Sequence, residues 1–75
     1  MPNSRNKRSV TIAKHRTSIS LEDAFWAALG ELAQADGKSL AALINEIDKQ
    51  RGASSLSAAI RVYVLERTRA RREAP

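Results

Sequence analysis

The six residues "RTSISL", Arg16 to Leu21, put Thr17, Ile19 and Leu21 on one side and Arg16, Ser18 and Ser20 on the other. This alternation is the period of a half-buried β-strand. The run passes directly into Glu22 and Asp23, acids that suit the positive end of a helix dipole, and a helical apolar stripe follows. An unpaired strand is not stable in water, and even an isolated hairpin is marginal. Whatever this chain folds into must therefore supply that strand with a neighbour.

A β-favouring stretch, "SVTIA" from Ser9 to Ala13, precedes it, interrupted by Lys14 and His15. Val10 and Ile12 stand at even positions, whereas Ile19 and Leu21 stand at odd ones. One continuous strand would send these two apolar pairs to opposite faces, so a bend or bulge is expected near Lys14. On that reading the chain is mostly α with one short strand. The simplest partner for the strand is then the same strand of a second copy, antiparallel about a two-fold axis.

Helical periods fill most of the rest. Phe25, Leu29, Leu32 and Ala33 recur at helical spacing, and Gly37 suits the left-handed position after a helix end, which predicts a first helix over Glu22–Asp36. Ser39 is a good N-cap for a second helix over Leu40–Arg51, with Leu40, Leu43, Ile44 and Ile47 on its apolar side. Phe25, Leu29, Leu32, Leu40, Leu43, Ile44 and Ile47 are the expected core, with Trp26 beside them against a third helix or a dimer partner. Leu56, Ala59, Ile60, Tyr63 and Val64 continue a third helical pattern, capped by Ser55, while Val62 and Leu65 fall on a second face. A helix apolar on two sides needs two neighbours.

Seventy-five residues make one domain, and a chain of this size buries only about 60% of its unfolded surface. With no cysteine there is no disulfide or thiolate zinc site to reinforce it, which leaves oligomerisation as the remedy. No run approaches a membrane span, no apolar stretch follows the basic N-terminus as in a secretory signal, and a cytoplasmic location is expected. The charge of +5 is unevenly spread: five basic and no acidic residues lie in 1–16, three basic and six acidic in 17–60, and five arginines against Glu66 and Glu73 in 61–75. A basic arm over 1–8, a domain over 9–66 and an Arg-rich tail over 67–75 point to a polyanionic partner touched by the ends.

Nothing supports catalysis. His15 has no Ser, Cys or Asp at motif spacing, Glu22/Asp23 and Glu46/Asp48 read as helical surface acids, and no Gly-rich phosphate loop is present. No cofactor or metal is expected.

"RTSISLEDAFWAALGELAQADGKSLAALINEI", Arg16 to Ile47, resembles a ribbon-helix-helix domain of the Arc/MetJ class in its alternating strand, acidic helix start, aliphatic helices and Gly-x-Ser turn. Over roughly Val10 to Arg67 the chain is similar to a small bacterial subfamily in which a segment like "HRTSISLEDAFW" is followed by one like "LSAAIRVYVLER". The resemblance implies an intertwined homodimer that lays a two-stranded intermolecular ribbon in the major groove of double-stranded DNA and acts as a transcriptional regulator, a repressor associated with the nucleoid. Carried over by position, Arg16, Ser18 and Ser20 contact bases. Lys38, Ser39 and Leu40, at the start of the second helix, hold a phosphate. From their charge, and not from the resemblance, Arg5, Lys7, Arg8 and Lys14 are expected to be further backbone contacts. Two serines among three readers depart from members with longer side chains there and predict modest sequence discrimination.

Two alternatives stay open. "LSAAIRVYVLERTR" itself resembles the second helix of many such domains; in that register Leu40–Arg51 is an insertion, and Ser55 to Ser57 become the phosphate anchor. In a different class, the chain is a protein-interaction module, an antitoxin or adaptor, that uses its third helix and Arg-rich tail on a protein partner.

Overall fold

A computed structural model describes residues 7–73. Two strands, β1 (Lys7–Ile12) and β2 (His15–Ser20), precede three helices, α1 (Asp23–Ala35), α2 (Leu40–Gln50) and α3 (Leu56–Glu73). The single expected strand is thus two strands, and the partner that Arg16–Leu21 requires lies in the same chain. β1 and β2 pair antiparallel, with Lys7 opposite Ser20 and Ile12 opposite His15.

The turn explains the parity of the apolar residues. Only Ala13 and Lys14 separate the strands, and both have positive φ, 50° and 73°. Two consecutive left-handed residues form a type I′ turn, whose twist matches that of the flanking strands. In this register even-numbered residues of β1 oppose odd-numbered residues of β2. Val10 and Ile19 therefore share one face, and the shift in parity reflects a reversal of the chain instead of a bulge. Neither Ala nor Lys is favoured at such φ values. Asn45 of α2 holds the turn in place: its Oδ1 accepts from the Ala13 N–H at 3.0 Å, and its Nδ2 donates to the Thr11 carbonyl at 3.1 Å.

The inner face of the hairpin lies on the helices through Val10 and Ile19, which join Leu21, Leu29, Leu32, Ala33, Leu43, Ile44, Ile47, Ile60 and Val64 in one core. Five of the seven expected core residues are buried; Phe25 and Leu40 pack against the core while partly exposed. Trp26 packs against the core and lies on the β1 side, beside Val10, Leu40 and Ile44. Gly37 takes the left-handed conformation (φ 68°) just after α1, and the Ser39 hydroxyl caps α2 by accepting from the Ala42 N–H at 3.0 Å.

The ends depart from the expected division. Lys7 and Arg8 are β1 residues and not part of a basic arm, and Arg5 lies outside the described residues. Arg67 to Glu73 continue α3 as helix and do not form a separate tail.

Candidate nucleic-acid interface

The pairing register puts Lys7, Ser9 and Thr11 of β1 on the same side as Arg16, Ser18 and Ser20 of β2, because directly opposed residues share a face. All six are exposed. This outer surface therefore carries two cations and four hydroxyls, with no carboxylate and no apolar side chain. Arg16 Nη2 donates to the Ser9 hydroxyl at 3.1 Å, which steadies the guanidinium across the two strands and leaves most of its N–H groups pointing to solvent. Arg16, Ser18 and Ser20, grouped from one strand alone, are thus brought together with three β1 residues that sequence reasoning assigned to an arm or passed over. The antiparallel register is what joins them, and the shift in apolar parity was the signal for it.

Arg8 is turned the other way. Its guanidinium stacks over Trp26, 5.1 Å from the ring centroid, and forms an ion pair with Asp23. It serves the inner face, where the ring and the carboxylate engage its guanidinium. Lys14 is exposed in the hairpin turn.

The start of α2 is partly engaged. Lys38 Nζ donates to Glu46 at 2.6 Å, and this carboxylate holds the Lys38 ammonium pKa above its ordinary value. Ser39 is occupied as the cap, and the side chain of Leu40 packs on the core. The start of α3 is placed differently. Ser55, Leu56 and Ser57 line an open cleft of about 730 Å³ together with His15, Thr17, Ser18 and Ser20 of β2. Ser55 caps α3, accepting from the Ala58 N–H at 3.1 Å.

Two arginines fix α3 to the rest: Arg61, which sequence reasoning left without a role, and Arg67, which it placed in the Arg-rich tail. Arg61 donates to both Glu22 carboxylate oxygens, at 2.9 and 3.3 Å, and reaches the Ser20 carbonyl at 3.4 Å. Its hydrogen bonds hold the Glu22 carboxyl below the usual range. Arg67 makes a two-pronged pair with Asp36, at 2.9 and 3.0 Å, and donates to the Tyr63 hydroxyl at 2.6 Å. The guanidinium lowers the Asp36 pKa, and the carboxylate raises that of Arg67. Among the described residues, no group of His, Cys, Asp and Glu is arranged to hold a metal ion, and no helix is long and apolar enough to cross a membrane.

A polar, cationic two-stranded ribbon laid over a helical body defines the class of small ribbon-and-helix folds. The chain belongs to the ribbon-helix-helix domain family, whose model matches residues 5–68 and so takes in the hairpin and most of α3. Members of this family are generally non-enzymatic, DNA-binding regulators of transcription that bind as dimers. Neither a curated protein nor a solved structure matches the chain.

Proposed function

We propose that this protein is a homodimeric transcriptional repressor that reads double-stranded DNA with the outer face of its ribbon. The observation that carries the proposal is the composition of that face: Lys7, Ser9, Thr11, Arg16, Ser18 and Ser20, uniformly polar and net positive. Phosphates demand cations, and base edges demand donors and acceptors; this surface offers both. Arg16 pairs with guanine through two parallel N–H bonds, while Ser18 and Ser20 accept either hydrogen-bonding partner and discriminate weakly. Lys7 and Lys14, at the two ends of the hairpin, reach flanking phosphates.

The dimer follows from an unfinished edge. Ile12 and His15 close the turn as a hydrogen-bonded pair, and bonded pairs alternate along an antiparallel ladder. The backbone groups of Arg16, Ser18 and Ser20 therefore point away from β1. Among the described residues only the Ser20 carbonyl is met, by Arg61. A free edge of this kind pairs with another strand. Pairing of two β2 strands about a two-fold axis near Ser18 gives a four-stranded sheet with β2 and its copy in the centre. Strands about 4.8 Å apart fit as a pair into a major groove about 12 Å wide. Val62 and Leu65, 52% and 54% exposed, lie on the turns of α3 that follow the Arg61 tether to β2 and complete the contact between copies.

The cleft beside β2 favours the register in which α3 is the second helix of the core motif, with the N–H groups at Ser55 to Ser57 holding a flanking phosphate. In this register Ser55 to Ser57 take the anchoring role, while Lys38 is paired with Glu46, Ser39 caps α2 and Leu40 packs beside β1. On this reading the protein resides in the cytoplasm, on the nucleoid. The second reading, a protein-interaction module, rests on the same exposed Val62 and Leu65 and predicts no salt-dependent DNA binding.

The test is Arg16→Ala, assayed against a pool of random duplexes. Each lost bidentate contact costs about 1–3 kcal/mol and relaxes preference at one base pair in each half-site. A uniform loss over all sequences makes Arg16 a phosphate contact. No change at all removes the ribbon as the reading surface, and a flat salt titration of the unmodified protein favours the interaction module.

A further inference from the structure

Thr68 to Arg72, late in α3, bury nothing. Ile60 and Val64 are the α3 side chains in the core, and Arg67, pinned to Asp36 and Tyr63, is the last α3 residue with a described tie to the body. Beyond it Thr68 to Arg72 are exposed, yet the chain remains helical through Glu73. No hydrogen bond or ion pair among the described residues engages Arg69, Arg71 or Arg72. Successive helical residues are turned by about 100°, so Arg69 and Arg72 share one side of a rod and Arg71 is turned well away from them. No large apolar side chain lies among them. A folded protein partner is held by an apolar core within a polar rim, and this segment has nothing to place in one. A phosphate backbone, which presents charge without pockets, is the partner such an array fits.

The overhang is also displaced along α3 from the residues that touch the ribbon. α3 begins at the β2 cleft, and the Arg67–Asp36 pair holds its other end against the turn between α1 and α2. At 1.5 Å per residue, Arg69 lies about 21 Å along the helix from Ser55 and Arg72 about 25 Å. The major groove is only about 8.5 Å deep.

We infer that the α3 overhang, carrying Arg69, Arg71 and Arg72, is a second DNA-backbone contact that holds a duplex other than the one under the ribbon, so that the protein bridges two DNA segments. The inference rests on the ribbon reading, and the dimer would present two such overhangs.

The test uses the full chain, one duplex fixed to beads and a second, fluorescent duplex in solution, with binding to a single duplex measured separately by anisotropy. The triple variant R69A/R71A/R72A is expected to keep single-duplex affinity within about twofold and to lose capture of the second duplex by at least about tenfold, as the removal of three phosphate contacts per chain demands. R69K/R71K/R72K, which keeps the charge, is expected to retain capture. Parallel loss of both activities in the alanine variant would mean that the overhang grips the same duplex. Undiminished capture in that variant, or wild-type protein that binds one duplex and never a second, also overturns the inference; the latter leaves the arginines to an acidic protein. Failure of the ribbon reading gives a different result, single-duplex binding that Arg16→Ala leaves unchanged.

Discussion

Removing the carboxamide of Asn45 tests how the ribbon is held. Ala13 and Lys14 occupy the left-handed region, at φ 50° and 73°, which costs a non-glycine residue about 1–2 kcal/mol. Asn45 ties this turn to α2 through the Ala13 N–H and the Thr11 carbonyl, and its third bond, to the Ala41 carbonyl at 2.8 Å, fixes its own orientation. A net hydrogen bond contributes about 1 kcal/mol, so loss of the two ties in Asn45→Ala amounts to about 1–2 kcal/mol. For a domain of this size that is a fall in Tm of about 4–16 °C. The assay is a thermal melt by circular dichroism at fixed protein concentration, because association raises the apparent Tm. Lys14→Gly supplies the converse, since glycine adopts the second turn position without strain and raises Tm. In the double variant Lys14→Gly should recover part of the Asn45→Ala loss. An Asn45→Ala protein that melts within about 2 °C of the unmodified one refutes the reasoning, because it would mean that the turn holds itself.

Leu65→Glu puts a charge into the proposed contact between copies, while its side chain is 54% exposed in the single chain; it should abolish the dimer by sedimentation equilibrium, and an unchanged dimer would move the interface off this face. Asp36 titrates below its ordinary 3.8 because Arg67 hydrogen-bonds its ionised form. A depressed folded pKa contributes stability that is present above the unfolded value and lost as pH falls through the folded one. Asp36→Asn should therefore flatten the fall in Tm below about pH 4 and leave the dependence above it unchanged. An acid limb identical to that of the unmodified protein would show that the pair with Arg67 does not form in solution.

Much of the helical half was legible in the sequence, because its signals are local. The spacing of Leu29, Leu32, Leu43, Ile44 and Ile47, the Ser39 cap and the left-handed Gly37 depend only on neighbours a turn away, and each is realised. The exposed side of the second strand was equally legible: alternation alone put Arg16, Ser18 and Ser20 together, and Ile19 is buried opposite them. Pairing is not local. The same change of parity between Val10/Ile12 and Ile19/Leu21 accommodates a bulge or a reversal, and the residues at the turn, Ala13 and Lys14, lack the Asn-Gly signature that announces a type I′ hairpin. Asn45, some thirty residues further along the chain, holds that turn from α2, so only the assembled tertiary structure joins Lys7, Ser9 and Thr11 to the outer face. Arg8 shows the same limit in reverse. Charge placed it among the phosphate contacts, and the ring of Trp26 with the carboxylate of Asp23, both brought in by the packing of α1, turned it inward.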